Sequence, residues 1–81
     1  MNTFDLLSLP QGTDAVICGV DVRGDMRRRL FDLGMTPGAG IRCLFAAPGG
    51  GPRAYMIRGT VIALRGDDAA KITVKDGGRW D

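Results

Sequence analysis

Two cysteines, three consecutive arginines and an adjacent pair of aspartates are the residues whose types and spacing could do chemistry. Cys18 and Cys43 are soft metal ligands by type. Two thiolates without further donors make an incomplete tetrahedral site, and the sequence contains no histidine, the commonest ligand for zinc, copper or ferrous iron. A disulfide between them is not excluded by spacing, but without a secretory segment two buried thiols are the expectation. Asp67 and Asp68, together with Asp14, Asp21 or Asp25, offer hard oxygen ligands. Nothing resembles a calcium loop, however, and adjacent carboxylates at a helix start usually act as caps. No nucleophile is paired with a base, so an enzyme is the least favoured class, and neither a metal nor a cofactor is assigned.

Arg27-Arg28-Arg29 is the strongest run of charge. A nucleic-acid surface would need further basic residues and aromatic platforms on the same face, whereas Asp25 and Asp32 interrupt this one. The alternatives are a solvated helix face or a contact with an acidic protein. The Ala-Pro-Gly-Gly-Gly-Pro stretch at 47–52 lacks the Gly-Lys-Ser/Thr ending of a phosphate loop and is followed by no helix. It reads as a flexible hairpin tip, whose exposure also makes it a candidate docking surface.

These residues are positioned by one helix and a series of short strands. Asp25 is the expected N-cap of the helix, and Met26, Leu30 and Leu33 fall at i, i+4 and i+7 to make one apolar stripe. Gly34 ends it in a left-handed conformation, and Pro37-Gly38 forbids its resumption. Before it, Leu6 and Leu9 anchor an extended or single-turn segment, and residues 15–22 form a β-branched strand in which Gly19 suggests a bulge. After it, residues 41–46 form a strand with Ile41, Cys43 and Phe45 on one face. Residues 53–58 return with Tyr55 and Ile57 inward, and Gly59-Thr60 turns the chain into a strand over 61–65 with Ile62 and Leu64 inward. A helical turn at 66–71 precedes a last strand at 72–74 with Ile72 and Val74 inward. Five short strands with glycine turns predict an all-β fold, a small barrel whose closure removes exposed edges, plugged at one end by the helix stripe.

Eighty-one residues make one small domain with a thin core and little room for a cleft. The net charge of +2 is far from that of a dedicated nucleic-acid binder. No apolar run approaches the ~20 residues of a membrane-spanning helix, and the N-terminus has no basic flank or cleavage site, so a cytosolic protein is expected. Residues 1–75 are expected to form the domain and 76–81 a loose tail.

The order of these signals resembles the FeoA family, the small cytosolic proteins of bacterial ferrous iron transport. The resemblance rests on Leu6 to Leu9 with Pro10 and Gly12, then Ala15 and Ile17. Its most distinctive run is Arg29-Leu30, Leu33-Gly34-Met35 and Pro37-Gly38. Ala47-Pro48, the glycines to Pro52, Arg58-Gly59, Ala63-Leu64-Arg65, Ala69 and Ile72-Thr73-Val74 follow in order. The resemblance implies an SH3-like barrel of about five strands, with a short helix between the first two and a helical turn before the last. It makes Leu30, Leu33, Gly34, Pro37, Gly38 and Gly59 structural. It also implies a stand-alone accessory protein, not the similar C-terminal domain of iron- or manganese-dependent repressors. Its partner would be the cytosolic GTPase domain of the FeoB membrane transporter, recruiting it to the inner face of the membrane. Weak self-association remains open, and nucleic acid is not expected as a partner.

Candidate contact residues are apolar or basic side chains left off the inward faces. Phe31 lies well around the helix from the apolar stripe, next to Arg27 and Arg28. Leu44 and Met56 point to the outer sides of their strands. If they cluster, they make a patch that marks a protein partner; the alternative is that the helix covers the outer strand face. The nucleic-acid-binding small barrel is the competing class, and the near-neutral charge argues against it.

Overall fold

The computed structural model describes residues 2–76. Six strands form one antiparallel sheet: β1 (Thr3–Asp5), β2 (Asp14–Val20), β3 (Gly40–Ala46), β4 (Arg53–Ile57), β5 (Thr60–Leu64) and β6 (Ile72–Lys75), in the order β1-β6-β2-β3-β4-β5. The sixth strand is the one the sequence pattern misses. Residues 3–5 are too few to show alternation, yet they pair with β6 from Thr3↔Lys75 to Asp5↔Thr73. A 3-10 turn at Leu6–Ser8 follows, started by Asp5, whose carboxylate accepts from the Ser8 amide at 3.0 Å. It delivers Leu6 and Leu9 to the core as expected.

The two helices, α1 (Gly24–Asp32) and α2 (Gly66–Ala69), stand where the sequence places them. Asp25 is not the cap of α1. The helix starts two residues earlier than that cap would have it, Arg23 occupies the cap position without a side-chain bond, and Asp25 lies in the first turn, where its charge favours the helix dipole. Leu30 is buried by α1, while Met26 and Leu33 pack only partly against the core. The plug is completed instead by Met35, which is fully buried and whose amide bonds the Leu30 carbonyl at 2.9 Å. Gly34 (φ 101°) makes this reversal possible.

Tyr55, Ile57, Ile62, Leu64, Ile72 and Val74 all face the core, as their alternation predicts. Two bulges break the period. One lies between Ile17 and Gly19 on β2, at the glycine that signals it. The other lies between Cys43 and Phe45 on β3, where Cys43 pairs with Tyr55 but Phe45 pairs with Ala54. The extra residue reverses the phase, so Phe45 faces outward rather than inward with Ile41 and Cys43. The turn between β4 and β5 is Arg58-Gly59, not Gly59-Thr60. Both residues have positive φ (48° and 78°), as a two-residue hairpin of type I′ requires.

The hairpin tip at 47–52 is not a loose loop. It contains a short 3-10 turn, Pro48–Gly50, and rests on the start of α2. A Cβ on Gly66 would stand 2.3 Å from the Gly50 carbonyl oxygen, so only glycine permits this approach. The tail expected at 76–81 lies, apart from Asp76, outside the described residues.

Candidate functional site

The β4 strand carries a polar cluster for which the sequence pattern gives no cue. Arg53 is only 5% exposed, and among the described residues its guanidinium forms no salt bridge with a carboxylate. It donates to three backbone carbonyls instead: Leu7 at 2.8 Å, Gly51 at 3.4 Å and Ala47 at 3.4 Å. Beside it, the Tyr55 hydroxyl donates to the Leu6 carbonyl at 3.2 Å. Burial pushes the Tyr55 phenol up to about 12, against a smaller opposing pull from Arg53. Burial also pushes the Cys43 thiol up, partly offset by the Arg53 charge. A thiol held protonated is a poor nucleophile and a poor metal ligand. Cys18 is half-buried, and both cysteines are free. Among the described residues no three of His, Cys, Asp and Glu gather around a common point. The cluster therefore ties the N-terminal turn to β4 and the 47–52 loop; its groups are satisfied inward.

The arginine triplet is divided by its own helix. Arg27 donates from Nη1 to the Val20 carbonyl, and its guanidinium carbon stands 4.6 Å from the centroid of the Phe31 ring. Phe31 is half-buried against the core beneath it. Arg28 and Arg29 are exposed and line a shallow groove with Asp25, Asp32 and Leu33, a mixed rather than a basic surface. Phe31 and Arg27 thus hold one another; Arg27 is exposed all the same, and among the described residues Arg28 is the charge of the expected contact set with no such ring contact.

An apolar patch lies on the outer face of β3–β5; of the expected cluster it holds Leu44 and Met56, while Phe31 stands on α1, packed partly against the core. The register aligns Arg42, Met56 and Val61 in one cross-strand row and Phe45, Ala54 and Ala63 in the next. Phe45 is 51% exposed, Val61 57% and Leu44 38%, with Met56 half-buried between them. Leu44 and Met56 do come to one face. Sequence reading misses Phe45 and Val61, the larger part of the patch: Phe45 because the β3 bulge inverts its phase, Val61 because a single outward valine carries no signal. The Arg42–Asp14 ion pair borders the face, with Nε 2.6 Å from Oδ1, and this contact raises the Arg42 pKa. Pro37, Gly38 (φ 92°) and Gly59 lie in turns that join elements.

Fold and surface together define a class: a small SH3-like barrel that exposes an apolar sheet face. Residues 4–76 match the FeoA domain. The chain belongs to the FeoA family. It is 39% identical over 70 residues to an Fe(2+) transport protein A/Fe(2+) transporter FeoB fusion protein of Porphyromonas gingivalis, covering 86% of this chain but spanning only 8% of that relative's length. The solution structure of FeoA from Chlorobium tepidum superposes with a TM-score of 0.84 at 34% identity, over 90% of this chain and 70% of that one. A zinc complex of FeoA from Stenotrophomonas maltophilia superposes with a TM-score of 0.77 at 32% identity, over 89% of each chain. That protein is described as a prokaryotic SH3 domain protein and proposed as a ferrous iron transport activating factor.

Proposed function

We propose that this protein is a non-enzymatic accessory module of ferrous iron uptake that binds the cytosolic GTPase domain of a FeoB-type transporter, at the cytoplasmic face of the membrane. The observation that carries the reading is the apolar outer face of β3–β5, where Leu44, Phe45, Met56 and Val61 stand exposed or half-exposed together. A contiguous exposed apolar patch is the kind of surface that marks a protein contact. The fusion relative, in which FeoA-type and FeoB-type parts share one chain, supports a FeoB-type protein as the partner. No helix among the described residues is long and apolar enough to cross a membrane. The basic triplet supports nucleic acid poorly, because Arg27 is bonded to Val20 and Asp25 and Asp32 flank the rest.

The test is retention on the immobilised protein of the transporter's cytosolic domain against a generic RNA at physiological salt. Retained domain and washed-out RNA are the expected result. Phe45→Ser, with Val61→Ser as a second variant, should lower domain retention about tenfold or more if the face is central to the contact. Retained RNA without retained domain would overturn the reading.

A further inference from the structure

The β5 strand ends the sheet, and its geometry carries the partner question further. The two-residue turn at Arg58-Gly59 makes Ile57 and Thr60 a hydrogen-bonded pair, and alternation gives the same status to Tyr55 with Ile62 and Arg53 with Leu64. The amides and carbonyls of Val61 and Ala63 therefore point away from β4, along the free edge. Among the described residues, no backbone bond joins Thr60–Leu64 to any element but β4. This edge also lacks the usual protection. It has no proline, no charge and no bulge in the sequence Thr-Val-Ile-Ala-Leu, and Val61 and Ala63 are exposed. Its two ends are basic. Arg58 and Arg65 are exposed, and the one ion pair among the described residues is Arg42–Asp14. Asp67 lies just beyond Arg65 but makes no salt bridge with it.

We propose that the β5 edge receives an extended segment of an acidic protein partner, which adds a seventh strand by bonding the amides and carbonyls of Val61 and Ala63. This rests on the reading above that the chain binds a protein. The segment would carry acidic residues toward its two ends, one meeting Arg58 at the turn and one meeting Arg65, on either side of the ~17 Å extended run from Thr60 to Arg65. Its outward side chains would extend the apolar face that begins at Val61, Met56 and Phe45. A second copy fits less well. Antiparallel pairing of two β5 strands about Ile62 sets Arg65 beside Gly59 and Arg58 of the other copy, a like-charge contact at both ends.

The experiment follows amide hydrogen exchange in the full chain, with and without the cytosolic domain of a FeoB-type transporter. The amides of Val61 and Ala63 should gain about tenfold protection or more in the complex. Ala63→Pro removes an outward amide without breaking the β4 ladder and should weaken binding about tenfold, as should Arg58→Glu combined with Arg65→Glu. Val61→Lys serves if the proline variant unfolds. Undiminished binding by these variants, with Val61 and Ala63 unprotected in the complex, overturns the edge site and leaves the accessory reading standing. Protection of the same amides on concentrating the protein alone assigns the edge to self-association and overturns the proposal. A domain that does not bind the wild-type chain overturns both.

Discussion

At Gly34 two constraints coincide. Its φ of 101° disfavours any side chain, and a Cβ there would stand 2.5 Å from Cδ of Arg58, whose Nε donates to the Gly34 carbonyl at 3.3 Å. Gly34→Ala should therefore destabilise the protein by about 2 kcal/mol or more in urea unfolding. Combining it with Arg58→Ala should recover the steric part and leave the backbone part, so a double-mutant cycle will show coupling of about 0.5 kcal/mol or more. Tyr55 makes a second test, with a defined direction. Its phenol titrates at about 12 in the fold against 10.0 when free, so the folded state holds the proton longer. The stability this gives is full below pH 10 and is lost as the pH rises toward 12. Tyr55→Phe removes that dependence along with the bond to Leu6. The stability difference between wild type and variant should thus shrink on going from pH 10 to 12; a constant difference would show that the phenol does not titrate late.

Elements were legible where local chemistry decides them. The α1 helix, its end at Gly34, the short α2 turn and the inward faces of β4, β5 and β6 follow from periodicity and turn residues. The missed features are those that only pairing creates. Residues 3–5 become a strand because β6 has a free side to offer them, and the bulge of β3 carries no glycine of the kind that announces the one in β2. The same bulge concealed the candidate site, since it turns Phe45 from an apparent core residue into one of the four apolar residues of the exposed patch. Arg53 was equally invisible, because its carbonyl partners come from the N-terminal turn and the hairpin loop rather than from a carboxylate at a readable spacing. The bulge makes a prediction at this scale. Phe45→Ser should change stability by less than about 0.5 kcal/mol, whereas Ile41→Ala, two residues before the bulge-flanking Cys43 and fully buried, should cost about 2–4 kcal/mol. Comparable urea midpoints for the two variants would mean that Phe45 packs inward after all.

For the whole molecule, the sheet order leaves β1 and β5 unjoined by backbone bonds, and the segment from Thr3 to Leu9 ties β6 to the inward side chains of β4 without covering the β5 edge by any backbone bond. It does so with few but different contacts. β1 pairs with β6, Leu6 and Leu9 enter the core, and the Leu6 and Leu7 carbonyls accept from Tyr55 and Arg53. Each buried leucine is worth about 2 kcal/mol and each of these bonds about 1 kcal/mol, with more for the one from the buried guanidinium. Removal of the segment therefore forfeits roughly 6–8 kcal/mol, while a small domain has about 5–15 kcal/mol in all. Deleting residues 2–9 should abolish the cooperative urea transition and leave a chain without native near-ultraviolet circular dichroism. Leu7→Ala keeps both carbonyls and trims only a partly buried side chain, so it should retain a cooperative transition with a modestly lowered midpoint. If the deletion variant unfolds cooperatively at the wild-type midpoint, the barrel closes without its N-terminal strap. In that case the buried Arg53 must find its compensation in the Gly51 and Ala47 carbonyls alone, and the Tyr55 hydroxyl in water.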